Sequence, residues 1–372
     1  VVQLAGSVAN RTQYHHGEVS LTGAIVALNQ GFVGKNQIPL LHPKSNFGTR
    51  LRGGADASQP RYIDTSFPKS SMCIFPQGDL EFLPKKYSDG VAVEPEYLLG
   101  ILPMVLINEP NGIGFAFSTH IPPFNARDVV GNICKFIDNE TLEQMTPYFK
   151  GFQGYIKNGD SPGTWDLSGI YKVLAPGKIQ ITELPPRTWT DNYKDDIETK
   201  YPGTNVIRQG DTDTVNLIVH FPDQESFQAW QKSTTIVNRG FVERINLNNM
   251  HIVDEKNQPK KYTDPLQIIR DHANLRLELY ARRLEALLQN QKDAIARDEG
   301  LTEYITAVAE ERIVFSRLQD DQAVKQAVAE QAPKATFYVQ EFADMPQRAF
   351  TKTRILQCRT QIQKNRENMT LL

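Results

Sequence analysis

The texture of this chain changes abruptly near Tyr262, and that change limits the possible folds more than any single motif. Of its 22 prolines and 24 glycines in 372 residues, nearly all lie before that point. Beyond it, Pro265 stands where a first helical residue would, and Ile269, Ala273, Leu277, Tyr280, Leu284 and Leu287 recur at three- and four-residue spacing. Arg276, Glu278, Arg282, Arg283 and Glu285 take the other faces. This predicts a long amphipathic helix continuing to about Ala296. Phe350, Ile355, Cys358 and Ile362 predict a return helix after Pro346, so the end of the chain reads as a stalk of two antiparallel helices with a small helical insertion as its knob. With roughly 100–200 residues per domain, two or three folding units are expected.

The earlier part reads differently. Residues 19–32 place Leu21, Ile25, Leu28 and Phe32 on one helical stripe. Residues 35–59 break into Gly, Pro, Asn and basic residues, which predicts loops with at most short strands. From about 105 to 262 short strands alternate with turns. Residues 177–182 and 214–221 alternate as half-buried strands do, while 191–200 and 223–232 read as helices.

Lys and Arg number 41 against 43 Asp and Glu, a net charge of -2, which excludes a uniformly basic nucleic-acid coat. The average hides zones. Residues 35–69 hold six basic residues (Lys35, Lys44, Arg50, Arg52, Arg61, Lys69) against Asp56 and Asp64; residues 293–344 hold eleven acidic against five basic. From residue 347 onward the balance is six basic against Glu367. The longest apolar run, residues 98–107, is half of the ~20 residues a membrane crossing needs, and no signal peptide is recognisable. Cys73, Cys134 and Cys358 are scattered, which points to a reducing compartment. The chain opens at Val1 in helix-like sequence without Met, as a piece of a longer polypeptide would.

Five places could carry chemistry. Gly48, Gly53 and Gly54 lie among Arg50 and Arg52; that loop either brings amides and guanidinium groups close to an anionic surface or is simply solvated. Tyr14-His15-His16-Gly17-Glu18 either supplies metal ligands, as in a metallohydrolase using His15, His16 and Glu18, or is a helix N-terminus with partly buried imidazoles. Arg61-Tyr62 joins a phenol, ordinarily a poor nucleophile at neutral pH, to a cation that can stabilise its anion and a phosphate under attack; otherwise Tyr62 is a core or edge-strand residue. In Asn108-Glu109-Pro110-Asn111-Gly112-Ile113-Gly114, two glycines flank one isoleucine on a tight turn. That side chain either tucks inward or is a wedge for a base step. The acidic tip is a solvated surface or a place where two copies meet.

The order of the motifs is more specific than any one of them. Val2-Gln3-Leu4-Ala5-Gly6-Ser7-Val8-Ala9, Tyr14-His15-His16-Gly17-Glu18, Gln30-Gly31-Phe32-Val33-Gly34, Asn46-Phe47-Gly48-Thr49-Arg50-Leu51 and Ser58-Gln59-Pro60-Arg61-Tyr62-Ile63 follow one another. Then come Leu102-Pro103-Met104-Val105-Leu106-Ile107-Asn108, Gly112-Ile113-Gly114, Ile121-Pro122-Pro123-Phe124-Asn125, Ile181-Thr182-Glu183-Leu184-Pro185-Pro186-Arg187-Thr188-Trp189-Thr190 and Arg276-Leu277-Glu278-Leu279-Tyr280. The series resembles the breakage–reunion region of type IIA DNA topoisomerases, on the eukaryotic and large-DNA-virus branch rather than the bacterial gyrase one, over nearly the whole chain.

The resemblance implies an α+β architecture: a winged-helix domain over residues 1–105 with its N-terminal part missing, a mixed α/β tower over 106–264, and a long antiparallel coiled coil over 265–372. A helical dimerisation tip is expected at about 293–345. It implies that Tyr62 attacks a DNA phosphodiester and is joined to the 5′ phosphate, that Arg61 stabilises charge on that phosphate, and that His16 assists it. Ile113 would intercalate and bend the gate DNA, and the basic residues Lys35, Lys44, Arg50 and Arg52 would hold its backbone. Expected partners are double-stranded DNA and a second copy through the tip, with no membrane. Mg2+ and ATP belong to the full-length enzyme, with both sites outside this chain, since no acidic metal-binding cluster or ATP motif is found here. The expected location is the nucleus, or a cytoplasmic viral replication site. Two features depart from the family pattern: Phe115-Ala116-Phe117 after Gly114, and Asp64 where an aromatic residue is usual. A non-cleaving DNA-binding and bending dimeric scaffold is the alternative from another functional class.

Overall fold

Two helices open the chain, α1 (Val2–Thr12) and α2 (Glu18–Asn29). α1 stops because Gln13 turns left-handed at φ 50°, and the N–H groups of Gln13 and Tyr14 fold back onto the Ala9 carbonyl. Ala5, Ile25 and Leu41 form the core between these helices. The apolar stripe expected on α2 is only partly used. The helix ends at Asn29, short of Phe32; Leu28 is exposed, and the buried face is Thr22, Ile25 and Asn29. A polar residue can take this place because Asn29 donates to the Ile25 carbonyl at 2.7 Å and accepts from Thr65 Oγ1 at 2.6 Å.

The computed structural model describes residues 1–372 except 115, 239, 344, 347–349 and 372. Phe115, Asp344 and Gln347, which bear on the departures and charge zones read from sequence, therefore lie outside the described residues. The chain divides into two compact units, residues 1–277 and 278–372.

Within the first unit, β1 (His42–Pro43) pairs antiparallel with β2 (Thr65–Ser66), and between them runs the glycine- and arginine-containing loop. α3 (Lys69–Ile74) follows, then the hairpin of β3 (Lys85–Ser88) and β4 (Val91–Pro95). A second hairpin, β5 (Asn111–Gly114) with β6 (Phe117–His120), has the register Ile113 to Ser118. α4 (Ala126–Ile137) is capped by Asn125, whose side chain accepts from Arg127 N.

Three sheets complete this unit. β7 (Tyr155–Asn158) and β8 (Thr164–Ser168) join β13 (Val242–Asn246) in the order β13-β8-β7. β9 (Ile170–Ala175), β10 (Lys178–Glu183), β11 (Asn205–Arg208) and β12 (Leu217–His220) make an antiparallel sheet in the order β11-β12-β10-β9. β10 alternates as its sequence predicted, burying Ile179, Ile181 and Glu183, and packs with α5 (Thr190–Lys200) and α6 (Gln224–Ser233) around Trp230 and Phe241. β14 (Met250–Val253) pairs with β15 (Pro259–Tyr262). A separate core joins Leu106, Ile107, Ile121, Phe124 and Val129 to Met250 and Tyr262. Leu266, Ile268 and Ile269 at the start of α7 (Pro265–Ala309) belong to the same core.

α7 is longer than its apolar spacing suggested, continuing past Ala296 because Leu301, Tyr304 and Ile305 extend a buried stripe through acidic surroundings. In the second unit it is followed by α8 (Asp321–Gln331), α9 (Val339–Ala343) and α10 (Lys352–Leu371). α10 runs antiparallel to α7. Glu299 pairs with Arg366 at 2.6 Å, while further along α7 Leu301 and Tyr304 share a core with Cys358, earlier on α10. Among the described residues no helix is long and apolar enough to cross a membrane.

Candidate active site

Tyr62 ends a 3-10 turn, Pro60–Tyr62, whose Pro at the first position presets the backbone and whose Tyr62 N–H donates to the Gln59 carbonyl at 2.9 Å. The next residue, Ile63, is 2% exposed and anchors the turn in the interior. Its carbonyl accepts from the Val1 nitrogen at 2.9 Å. Asp64 is held by its backbone, with its N–H on Ser45 Oγ at 3.2 Å and its carbonyl accepting from Lys44 N at 3.0 Å. The phenol itself is 72% exposed. A large aromatic ring left in solvent beside so firm an anchor is not a core tyrosine. Arg61 is exposed too, its guanidinium carbon 5.3 Å from the Tyr62 ring centroid. The turn thus brings a phenol and a guanidinium to the same solvent-facing place.

The basic loop corrects one expectation. Arg50 is 3% exposed: it pairs with Glu183 and donates to the Leu184 carbonyl at 3.0 Å. Glu183 also accepts from the backbone N–H groups of Gln153 and Leu184, at 3.0 and 2.8 Å. A guanidinium so committed cannot meet a phosphate, so Arg50 is a tie between the loop and β10, not a DNA contact. The glycines serve the same closure. A Cβ on Gly48 would stand 2.5 Å from the Gly54 Cα, and one on Gly53 would overlap the Trp189 ring. Thr49 fastens the loop further, its N–H and hydroxyl donating to Asp56 at 2.9 and 2.5 Å.

The remaining basic residues are more open. Lys44 is exposed, and Arg52 is exposed with one ion pair to Asp191 at 3.4 Å. Lys35 is half-buried, its ammonium 5.8 Å from the Trp189 ring centroid. Burial holds that ammonium below its ordinary pKa, partly opposed by Glu109. Trp189, in sequence only one member of a longer motif, is the surface against which Lys35, Phe32 and Gly53 gather. No local pattern signals that role, because its neighbours come from far away in sequence.

His16 stands exposed in the turn between α1 and α2, packed edge-on against Tyr14 at 5.3 Å between ring centroids. His16 follows α1, the 11-residue helix whose other end, at Val1, contacts the Tyr62 turn. The structure brings Arg61 and Tyr62 together, while His16 packs on Tyr14. Among the described residues no group of three or more His, Cys, Asp or Glu side chains could hold a metal ion, so His15, His16 and Glu18 do not converge on one. Ile113 is 83% exposed on its hairpin; it does not tuck inward.

Comparison with known proteins agrees with this architecture. Residues 1–372 match the family of the A-type subunit of DNA gyrase/topoisomerase IV. The chain is 33% identical over 332 residues to DNA topoisomerase 2 of Arabidopsis thaliana, covering 85% of this chain and 22% of that protein. It is 39% identical over 297 residues to DNA topoisomerase 2-alpha of Homo sapiens, covering 77% of this chain and 19% of that one. It thus spans about a fifth of the length of these curated relatives. The crystal structure of the Plasmodium falciparum topoisomerase II DNA-binding, cleavage and re-ligation domain superposes with a TM-score of 0.84 at 25% identity, over 100% of this chain and 55% of that one. With one family matched from end to end and the fold shared throughout, this chain belongs to the A-type DNA gyrase/topoisomerase IV family, the type IIA DNA topoisomerases.

Proposed function

We propose that this chain is the DNA-gate cleavage and religation segment of an ATP-dependent type II topoisomerase, which opens a duplex transiently so that another can pass. The observation that carries this reading is the exposed Arg61–Tyr62 pair on an anchored turn. The Tyr62 oxygen forms a bond to a DNA phosphorus as the bond to the 3′ oxygen breaks. The phenolic proton leaves, the 3′ oxygen gains one, and one ester replaces another of similar energy. Resealing is the same exchange reversed. Arg61 offsets charge on the phosphate, and catalysis is mainly positioning and charge neutralisation. His16 assists the reacting phosphate.

On this reading, residues 1–105 form a winged-helix domain, 106–264 a tower and 265–372 a coiled coil. A second copy joins at the tip, about residues 293–345. Lys35, Lys44 and Arg52 hold double-stranded DNA through its backbone, and Ile113 enters a base step to bend it. Mg2+ and ATP serve the full-length enzyme. Among the described residues no group of three or more His, Cys, Asp or Glu side chains could hold a metal ion. The site of action is the nucleus, or the cytoplasmic replication site of a large virus.

The test is trapping of a covalent protein–DNA adduct by the full-length protein. Tyr62→Phe removes the attacking oxygen and is expected to abolish the adduct, a loss of ~10⁴-fold or more. An adduct that persists in that variant removes Tyr62 from the mechanism. A parent protein that bends DNA without ever forming an adduct is the scaffold of the alternative reading.

A further inference from the structure

The hairpin that presents Ile113 is a two-stranded sheet of its own, and such a unit is marginal in water without support. A side chain driven between bases works against an unstacking cost of a few kcal/mol per step, so the base of the hairpin has to be held. β6 has an evident support. The His120 N–H donates to the Asn249 carbonyl at 2.8 Å, Asn249 Nδ2 donates to Ser118 Oγ at 3.0 Å, and His251 N–H reaches Thr119 Oγ1 at 3.3 Å. β5, the strand that carries Ile113, is entered from Glu109, and there the support is electrostatic.

The Glu109 side chain is 6% exposed. Its Oε1 lies 2.5 Å from His120 Nε2 and 3.0 Å from an Arg187 guanidinium nitrogen. The same guanidinium nitrogen lies 2.9 Å from His120 Nε2, so the three side chains close a triangle of polar contacts. Arg187 also pairs with Glu243 on β13, linking the hairpin base to a second sheet. Burial raises the pKa of that Glu243 carboxyl, with Arg187 opposing. Arg187 itself is left-handed at φ 70°, a conformation that a non-glycine residue keeps only when its surroundings impose it. The surroundings do. A Cβ on Gly34 would stand 2.6 Å from the Arg187 nitrogen, so another loop closes directly on this residue.

We propose that Glu109, His120 and Arg187 are positioning residues for Ile113: a largely buried, charge-assisted brace that keeps the hairpin stiff enough for its inserted side chain to bend a duplex. The proposal rests on the wedge reading of Ile113 given above. The brace holds both strands where they leave the body of the protein. Phosphate contacts made elsewhere carry the affinity, so the brace governs the bend and not the binding.

The experiment uses the full chain and a duplex of about 30 bp with a dye at each end. Bend is read as energy transfer, affinity as anisotropy and integrity as thermal melting. His120→Leu, which has no donor, is expected to lose about half or more of the bend while affinity changes less than ~3-fold. His120→Gln, whose amide can still donate to Glu109, keeps most of the bend. In the Ile113→Ala/His120→Leu double variant no bend is lost beyond that of Ile113→Ala, because residues acting through one contact are not additive. If His120→Leu does not fold, Glu109→Gln, equal in size without the charge, has to show the bend loss instead.

Parent-like bending in His120→Leu or in Glu109→Gln overturns the brace. Equal losses in the Leu and Gln variants of His120, or additive losses in the double variant, overturn it as well. If instead Ile113→Ala itself bends DNA like the parent, the wedge reading falls and the brace falls with it.

Discussion

Arg50 and Arg61 come from the same basic zone, yet the two stretches that carry them are built in opposite ways. The loop around Arg50 is closed on itself: its glycines allow backbone and ring approaches that no side chain would fit, and its arginine is spent on Glu183. The turn around Arg61 is anchored by Ile63 but leaves its arginine and tyrosine in solvent. Charge density alone does not mark a binding surface. One cation in this zone holds the fold, and another, a short distance along the chain, is free to meet a ligand.

Substitutions break this comparison if it is wrong. The largest expected effect is Arg50→Ala, which strands Glu183 as an unpaired buried charge and should destabilise the protein by about 3–5 kcal/mol in urea denaturation. A loss confined to DNA affinity, with stability unchanged, would mean that Arg50 is a ligand contact after all. Next comes Arg61→Ala. Its adduct formation should slow by about 10²–10³-fold, measured by single-turnover trapping. Its stability should stay within about 0.5 kcal/mol of the parent, because the side chain is exposed.

A third environment, at the root of α7, sharpens the contrast through pH. His272 Nε2 donates to the Gly100 carbonyl at 2.9 Å, and burial pushes its pKa down to about 4, with the Arg276 charge acting in the same direction. Its folded pKa lies below the unfolded value near 6.5, so the unfolded chain binds the proton first. Stability is therefore fully present above about pH 6.5 and falls as pH drops towards 4, by about 3 kcal/mol. His272→Asn should flatten that part of the stability–pH curve. The smallest effect is Lys44→Ala. It should weaken DNA binding alike for all sequences and reduce the salt-dependence slope by about 0.9, as loss of one phosphate contact does. A sequence-selective loss would argue for base reading by Lys44.

Much of the architecture was legible beforehand, and for a physical reason. Helix and strand periods are written locally, so α5, α6, α7 and α10 and the alternation of β10 follow from spacing. What failed were readings in which polar or charged residues break the apolar period. α2 buries Thr22 and Asn29 where Leu28 and Phe32 were expected, because an amide with two partners packs as well as an apolar group. α7 outran its expected end because its later buried residues sit among charges that obscure the period.

The candidate site divides along the same line. Arg61 and Tyr62 are adjacent in sequence, so their proximity needed no fold, whereas the glycines around Ile113 marked a tight turn and left open which way its side chain faces. Sequence alone also determined the ordered motifs that mark the family. Only the tertiary structure decided that Arg50 belongs to Glu183, that Tyr62 faces solvent, that His16 packs on Tyr14, and that Glu109 meets His120 and Arg187. Burial and ion pairing depend on groups far apart along the chain. No local pattern encodes which charge will find a partner and which will be left facing the solvent.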